Sequence, residues 1–266
     1  MKIPGFILAT LLAGTLVATP AAAVTREEAT IQNAMVVLRE LQAMPDLQIP
    51  DQLLSRAEGI VILPANVKVG FGLGARFGTG VMLVRTQSGE WSNPAFVKTG
   101  GGSIGWQAGG QVADIVLVMT TRKSIEGITD GKLTLGADAS VAAGPVGRTA
   151  MASTSLTFDS EVYAYSRTKG LFAGVSLEGS GIFINNKGNR RFYDGEGSAT
   201  KILSSTAVPP TPADELVAEI RRLTSGAGQR TAGDEPKPAA EAAAPERPAE
   251  AKTYPMPDQE PGTEPR

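Results

Sequence analysis

The sequence has no cysteine and no histidine among its 266 residues, and only 5% of it is aromatic. Without cysteine there is no disulfide, so whatever folds must be held by a core alone. Without histidine there is no Ser-His-Asp triad, no imidazole general base and no His-ligated zinc. Clustered acidic spacing of the kind that would bind a metal through carboxylates is also missing, so neither a metal nor another cofactor is expected. The scarcity of aromatics argues against the girdles of an outer-membrane barrel. Charge of one sign is lacking too. Over residues 57–195 there are 13 Lys/Arg against 10 Asp/Glu, which suits contact with an anionic surface but lacks the clustered basic stripe of a nucleic-acid binder.

The long hydrophobic run, Gly5 to Val17, lies at the N-terminus. Lys2 precedes it and Ala21-Ala22-Ala23 follows, which together form a secretory leader cut after Ala23, with a retained anchor as the alternative. No cysteine follows the run, so the leader is not of the lipid-modified kind. Residues 1–23 are therefore set aside from the fold. Export is expected, to the periplasm or beyond if the source is bacterial, with the protein peripheral to a membrane.

After the leader, Thr25-Arg26-Glu27-Glu28 has capping-box form, and Ile31, Met35, Leu38 and Leu41 recur at helical spacing. A helix is expected from Arg26 to about Ala43, and a second from Asp51 to Ala57, making residues 24–57 a helical segment. From residue 58 to 205 the texture is β. Runs rich in Val, Ile and Thr (60–63, 81–86, 95–98, 115–120, 133–143, 150–158, 162–166, 171–184) are separated by turn residues, with one helix over 122–128 and a short one near 199–203. Thr211-Pro212 opens a helix running to Leu223, so a C-terminal helix is expected over 206–225. Residues 226–266 are Pro/Ala/Glu-rich without hydrophobic period and read as disordered. The fold class is α+β, mainly an antiparallel β sandwich or partly closed barrel with flanking N- and C-terminal helices.

Three stretches mimic catalytic motifs. Gly101-Gly102-Ser103-Ile104-Gly105 fits G-x-S-x-G, but a nucleophile elbow needs a strand before it, a helix after it and a histidine. Ser166-Arg167-Thr168-Lys169 and Lys98-Thr99-Gly100 fit S-x-x-K and K-T-G in reversed order, without an S-D-N element. The third, GFGLGARFGTG at 70–80, holds five glycines in eleven positions. A dinucleotide turn must lead into a helix, and a phosphate loop must end in Gly-Lys-Ser/Thr. Here Val81-Met82-Leu83-Val84 follows and reads as strand. The glycines are better explained as β-structure in which backbones approach closely. No catalytic residue is assigned.

AEGIVILP (57–64), GTGVMLVR (78–85), WSNPAF (91–96) and GGSIGWQAGGQVADIVLVM (101–119) resemble the SYLF domain family. LGADASVAAGPVGR (135–148), YAYSRTKGLFAGVSLEG (163–179) and FYDG (192–195) continue the likeness in order, over roughly residues 33–205. The resemblance implies non-enzymatic lipid binding. Eukaryotic members bind phosphoinositide membranes, and some bundle actin. Bacterial members are exported envelope proteins. For an exported chain the implied ligand is an anionic phospholipid or membrane surface, with no actin partner.

The family pattern supplies no site residues, so these rest on chemistry: cations for a phosphate and apolar groups for acyl chains. Lys68, Arg76, Lys98, Arg148 and Lys169 lie in or beside the glycine-rich stretches, with Phe71, Phe77 and Phe172 as apolar neighbours. Trp91 and Trp106 are read as core. The competing reading is a structural or interaction protein of the periplasm whose tail serves as a spacer.

Overall fold

In the computed structural model, residues 24–44, 48–145, 158–168, 177 and 179–229 are described; of 70–73, 103–109 and 226–229 the description covers the backbone. Two strands dominate. β1 spans Gly59–Val84 and β2 spans Ala95–Met119, paired antiparallel along almost their whole length. Drawn out straight, 26 residues would reach about 85 Å at roughly 3.3 Å per residue, about twice the width of a domain of this size. The strand instead doubles back. The Arg85 N–H donates to the Glu58 carbonyl at 2.8 Å, and Gly80 sits so close to Ile62 that a Cβ there would lie 2.0 Å from the Ile62 carbonyl oxygen. These contacts run antiparallel about a midpoint near residue 71, where the β1–β2 register also breaks between Gly70 and Gly72.

The glycine-rich stretch is therefore the bend of a folded hairpin, as β-structure with close backbone approach requires. Glycine is needed where one limb meets the other: at Gly78 a Cβ would lie 2.4 Å from Asn66 Nδ2. The G-x-S-x-G stretch pairs within β2 against residues 72–76 of β1, and Lys98-Thr99-Gly100 pairs against residues 77–79. Neither motif precedes a helix.

The rest of the sheet grows outward from this hairpin. β3 (Leu133–Thr134) pairs with β6 (Gly181–Ile184), and β6 pairs with the first residues of β2. β5 (Val162–Thr168) pairs with the last residues of β2, and β4 (Val141–Ala143) lies parallel to β5. Six strands thus make one sheet. Because β1 and β2 each contribute two limbs, it has eight segments and curls as a half-barrel. This is the α+β class with a partly closed barrel.

Strand alternation sends side chains to two cores. Ile60, Ile62, Val81, Leu83, Val116, Val118, Tyr163 and Tyr165 face one side. There they meet α1 (Arg26–Ala43), α2 (Asp51–Ser55) and a C-terminal helix over Ala213–Gln229. Val61, Leu63, Met82, Val84, Ile115, Leu117 and Met119 face the other side, covered by α3 (Arg122–Thr129) and by Ile202 and Leu203. Burial on both faces explains why these strands read as unbroken apolar runs. Each large aliphatic side chain fully buried here contributes roughly 1.5–3 kcal/mol. Trp91, 2% exposed, lies in the first core and donates its indole N–H to Thr224 Oγ1 at 2.9 Å, fastening the C-terminal helix.

α1 begins as expected. Thr25 accepts from the Glu28 N–H at 3.2 Å, and Glu28 Oε2 accepts from the Thr25 N–H at 2.7 Å. Four readings need correction. Residues 60–63 with 81–86, and 95–98 with 115–120, are limbs of two strands rather than four separate ones. Residues 133–143 are not one strand but β3 and β4, parted by a turn in which Gly136 has φ +85° and Asp138 accepts from the Thr134 N–H at 2.7 Å. The C-terminal helix passes Leu223 and Gly226 to reach Gln229. A helix was missed at Asn186–Phe192, here α4, preceding α5 (Ala199–Ser204) and the C-terminal α6 (Ala213–Gln229). Its composition is poor for a helix, but tertiary contacts hold it: Asn189, fully buried, accepts from the Phe96 N–H at 2.7 Å, and Phe192 stacks edge-on to Phe96 at 5.4 Å. Most of each expected strand, at 150–158 and at 171–184, lies outside the described residues, and Phe158, which is described, is not in a strand.

Gly80→Ala is expected to lower unfolding stability by about 3 kcal/mol or more, because backbone must move to admit the methyl. Gly102→Ala, whose added Cβ meets nothing nearer than the Gly74 oxygen at 3.9 Å, should change it by less than about 0.5 kcal/mol. Urea titration of both variants checks the contrast.

Candidate functional site

Where the hairpin folds over, its limbs and the start of α1 enclose two adjoining hollows. The larger, about 480 Å³, is lined by Pro64, Ala65, Val67 and Phe77 of β1, Lys98 of β2, and Arg26 and Thr30 of α1. The smaller, about 260 Å³, shares Arg26, Thr30, Thr79 and Lys98 and adds Asn185, Lys187 and Arg191 from the region of α4. Glu27 and Phe96 complete it.

The walls are set by buried polar ties. Asn66, 3% exposed, donates from Nδ2 to Thr99 Oγ1 at 2.6 Å, tying β1 to β2 at the larger hollow, which Thr99 also lines. Beside it, the Pro64-Ala65 lip is a bulge between Leu63 and Asn66, and Ala65 has φ +49°. That left-handed conformation costs a non-glycine residue roughly 1 kcal/mol. Asp114 holds it: Oδ1 accepts from the Ala65 N–H at 2.9 Å and Oδ2 from Arg167 at 2.9 Å. Arg167 also pairs with Glu40 on α1. The hydrogen bond to Asp114 holds the Arg167 guanidinium pKa above its ordinary value, with Glu40 adding to it.

The charge around the hollows is uneven. Arg191 donates from Nε to Glu27 Oε1 at 2.8 Å, and this bond raises the Arg191 pKa. Glu27 is buried and so neutralises that arginine. Arg26, Lys98 and Lys187 are exposed and form no ion pair among the described residues. The two hollows together therefore keep an excess of three positive charges. Phe77, 52% exposed, stands at the rim of the larger one, and Val69 and Val112 are 43% and 38% exposed on the same hairpin.

Of the residues expected from the sequence, Phe77 and Lys98 meet at this rim. Lys68 is half-buried in β1, paired in register with Gln111, and lines neither hollow. Arg76 points inward, 6% exposed, and burial lowers its pKa; it does not share the outer rim with Phe77. Arg148, Lys169 and Phe172, like the leader and its Ala23, lie outside the described residues, as does the side chain of Phe71. Sequence reasoning missed Arg26, Asn185 and Lys187. Arg26 was legible as a helix-start cation; Asn185 and Lys187 depended on a helix that composition disguises.

Comparison with known proteins bears on this site. The family model described as "Ysc84: Las17-binding protein actin regulator" matches residues 100–223. The chain is 39% identical over 174 residues to LAS seventeen-binding protein 3 of Saccharomyces cerevisiae, covering 64% of this chain and 38% of that protein. It is 38% identical over 175 residues to Protein YSC84 of the same yeast, covering 65% and 37%. With the bovine SH3 domain-containing YSC84-like protein 1 it shares 34% identity over 199 residues, covering 73% and 58%. The chain thus spans about half, or less, of the length of these relatives.

Asp114→Ala is expected to cost about 3 kcal/mol, since it strands the Ala65 N–H and removes the inner partner of Arg167. Glu40→Ala, on the more exposed partner, should cost under about 1 kcal/mol. Equal losses in denaturant titration would contradict this account of the lip.

Proposed function

Because the chain carries a domain of the Ysc84/SYLF family, we propose that it binds anionic phospholipid at a membrane surface, without catalysing a reaction. The observation that carries the reading is the rim itself, where exposed Phe77 stands beside the cations Arg26 and Lys98. An aromatic ring supplies apolar area for the acyl boundary, and cations supply attraction to phosphate. Each cation near such a surface contributes about 1 kcal/mol and a buried Phe roughly 2. Together these give a reversible, salt-sensitive attachment rather than an anchor. We further propose that the chain is exported, with its leader cut after Ala23. In that setting an anionic phospholipid, not a phosphoinositide, is the ligand, and actin is no partner.

The name of LAS seventeen-binding protein 3 gives that relative a protein partner, and a partner protein is the competing reading for this chain. A protein captured on the immobilised chain and retained in detergent, with vesicles left unbound, would favour it.

Co-sedimentation with phosphatidylglycerol/phosphatidylcholine vesicles at low salt is expected to pellet the protein, while pure phosphatidylcholine does not. Phe77→Ala and Lys98→Glu should each reduce the bound fraction several-fold. Absence of binding by the wild type sinks the proposal. For export, the mature chain secreted by a bacterial host should begin at Val24 by N-terminal sequencing; a chain retaining Met1 contradicts it.

A further inference from the structure

The smaller hollow differs in chemistry from the rim, and we infer that it is a discrete site for a phosphate ester. At about 260 Å³ it is below the range of drug-sized pockets and suits a small head group. Asn185 lines it and is 7% exposed. Its Oδ1 accepts from the Gly188 N–H at 3.1 Å, which fixes the amide so that Nδ2 is the remaining donor. Among the described residues Nδ2 has no acceptor. Nδ2 is not among the fully buried atoms left without a partner, so it is in contact with solvent, which an entering phosphate oxygen would replace as its acceptor.

The surroundings specify that acceptor. Lys98 and Lys187 carry free ammonium groups, Arg26 a guanidinium without an ion pair, and Thr79 a hydroxyl without a partner among the described residues. The carboxylate present, Glu27, is occupied by Arg191. Donors from α1, β1, β2 and the start of α4 thus converge on one space that offers little to a cation and three charges plus an amide to a tetrahedral oxyanion. A phosphate diester or monoester with a short polyol fits; a bare carboxylate would leave donors unmet. The source of the phosphate, lipid head group or free ester, rests on the membrane reading above; the chemistry of the hollow does not.

The test titrates glycerol 3-phosphate into the full chain by calorimetry, beside vesicle co-sedimentation. Asn185→Asp keeps the helix cap, since aspartate caps as well as asparagine, but replaces the inward donor by an anion. It should weaken glycerol 3-phosphate binding about tenfold or more with the unfolding midpoint unchanged. Lys187→Ala, on the exposed surface, should weaken it about threefold to fivefold. Parallel loss of vesicle binding in Asn185→Asp supports a lipid head group as the source. Loss of glycerol 3-phosphate binding while the wild type ignores vesicles supports the phosphate site and overturns the membrane reading. No glycerol 3-phosphate binding by the wild type, or unchanged affinity in Asn185→Asp, overturns the site even where vesicles bind through Phe77. Should Asn185→Asp fail to fold, unchanged affinity in Lys187→Ala overturns it.

Discussion

The contact between Gly80 and the Ile62 carbonyl is the constraint on which the rest of the molecule depends. It is a backbone meeting a backbone, with no room for a single methyl group. It lets a strand of 26 residues return alongside itself, so that one hairpin supplies four limbs of the sheet. The two apolar cores follow, because the outer part of each limb (60–63, 81–84, 95–97 and 115–119) is covered on both faces. So does the long order of pairing, in which β5 and β6 attach to opposite ends of β2. Substituting a larger residue at this point would not merely open a gap; it would separate the halves of the sheet.

The same fold-over makes the candidate site. The lip at Pro64-Ala65 and the rim at Phe77 belong to one strand but meet across the bend, held by the Asn66–Thr99 bond and by Asp114. α1 closes the space with Arg26 and Thr30, and the loop before α4 brings in Asn185. The backbones that carry these groups are thereby fixed by buried parts of the structure, so the ordering cost of taking up a ligand falls on the exposed side chains of Arg26, Lys98 and Lys187.

Much of this was legible in the sequence. Runs rich in Val, Ile and Thr between turn residues gave the strands, and the Thr25–Glu28 box marked the helix start. The glycine run at 70–80 could be separated from a nucleotide loop because strand, not helix, follows it. What could not be read was that residues 60–63 and 81–84 are neighbours, since local pattern carries no information on contacts about twenty residues apart. α4 escaped for a related reason: Asn-Lys-Gly-Asn has weak helical propensity, and Asn189 acts through the distant Phe96 N–H. Of the candidate cations, Lys98 lies at the site, whereas Arg76, next to Phe77 in sequence, faces the other way by the alternation of the strand.

The central claim, that the paired hollows receive an anionic head group, is tested most directly by NMR amide shifts on titrating phosphatidylglycerol nanodiscs into the protein. The account predicts the largest changes at Thr30, Thr79, Lys98 and Asn185, with no change along the separate cleft that Arg39 and Gln42 of α1 line together with Glu219 and Arg222 of α6. Shifts centred on that cleft, or no shifts at all, would contradict it.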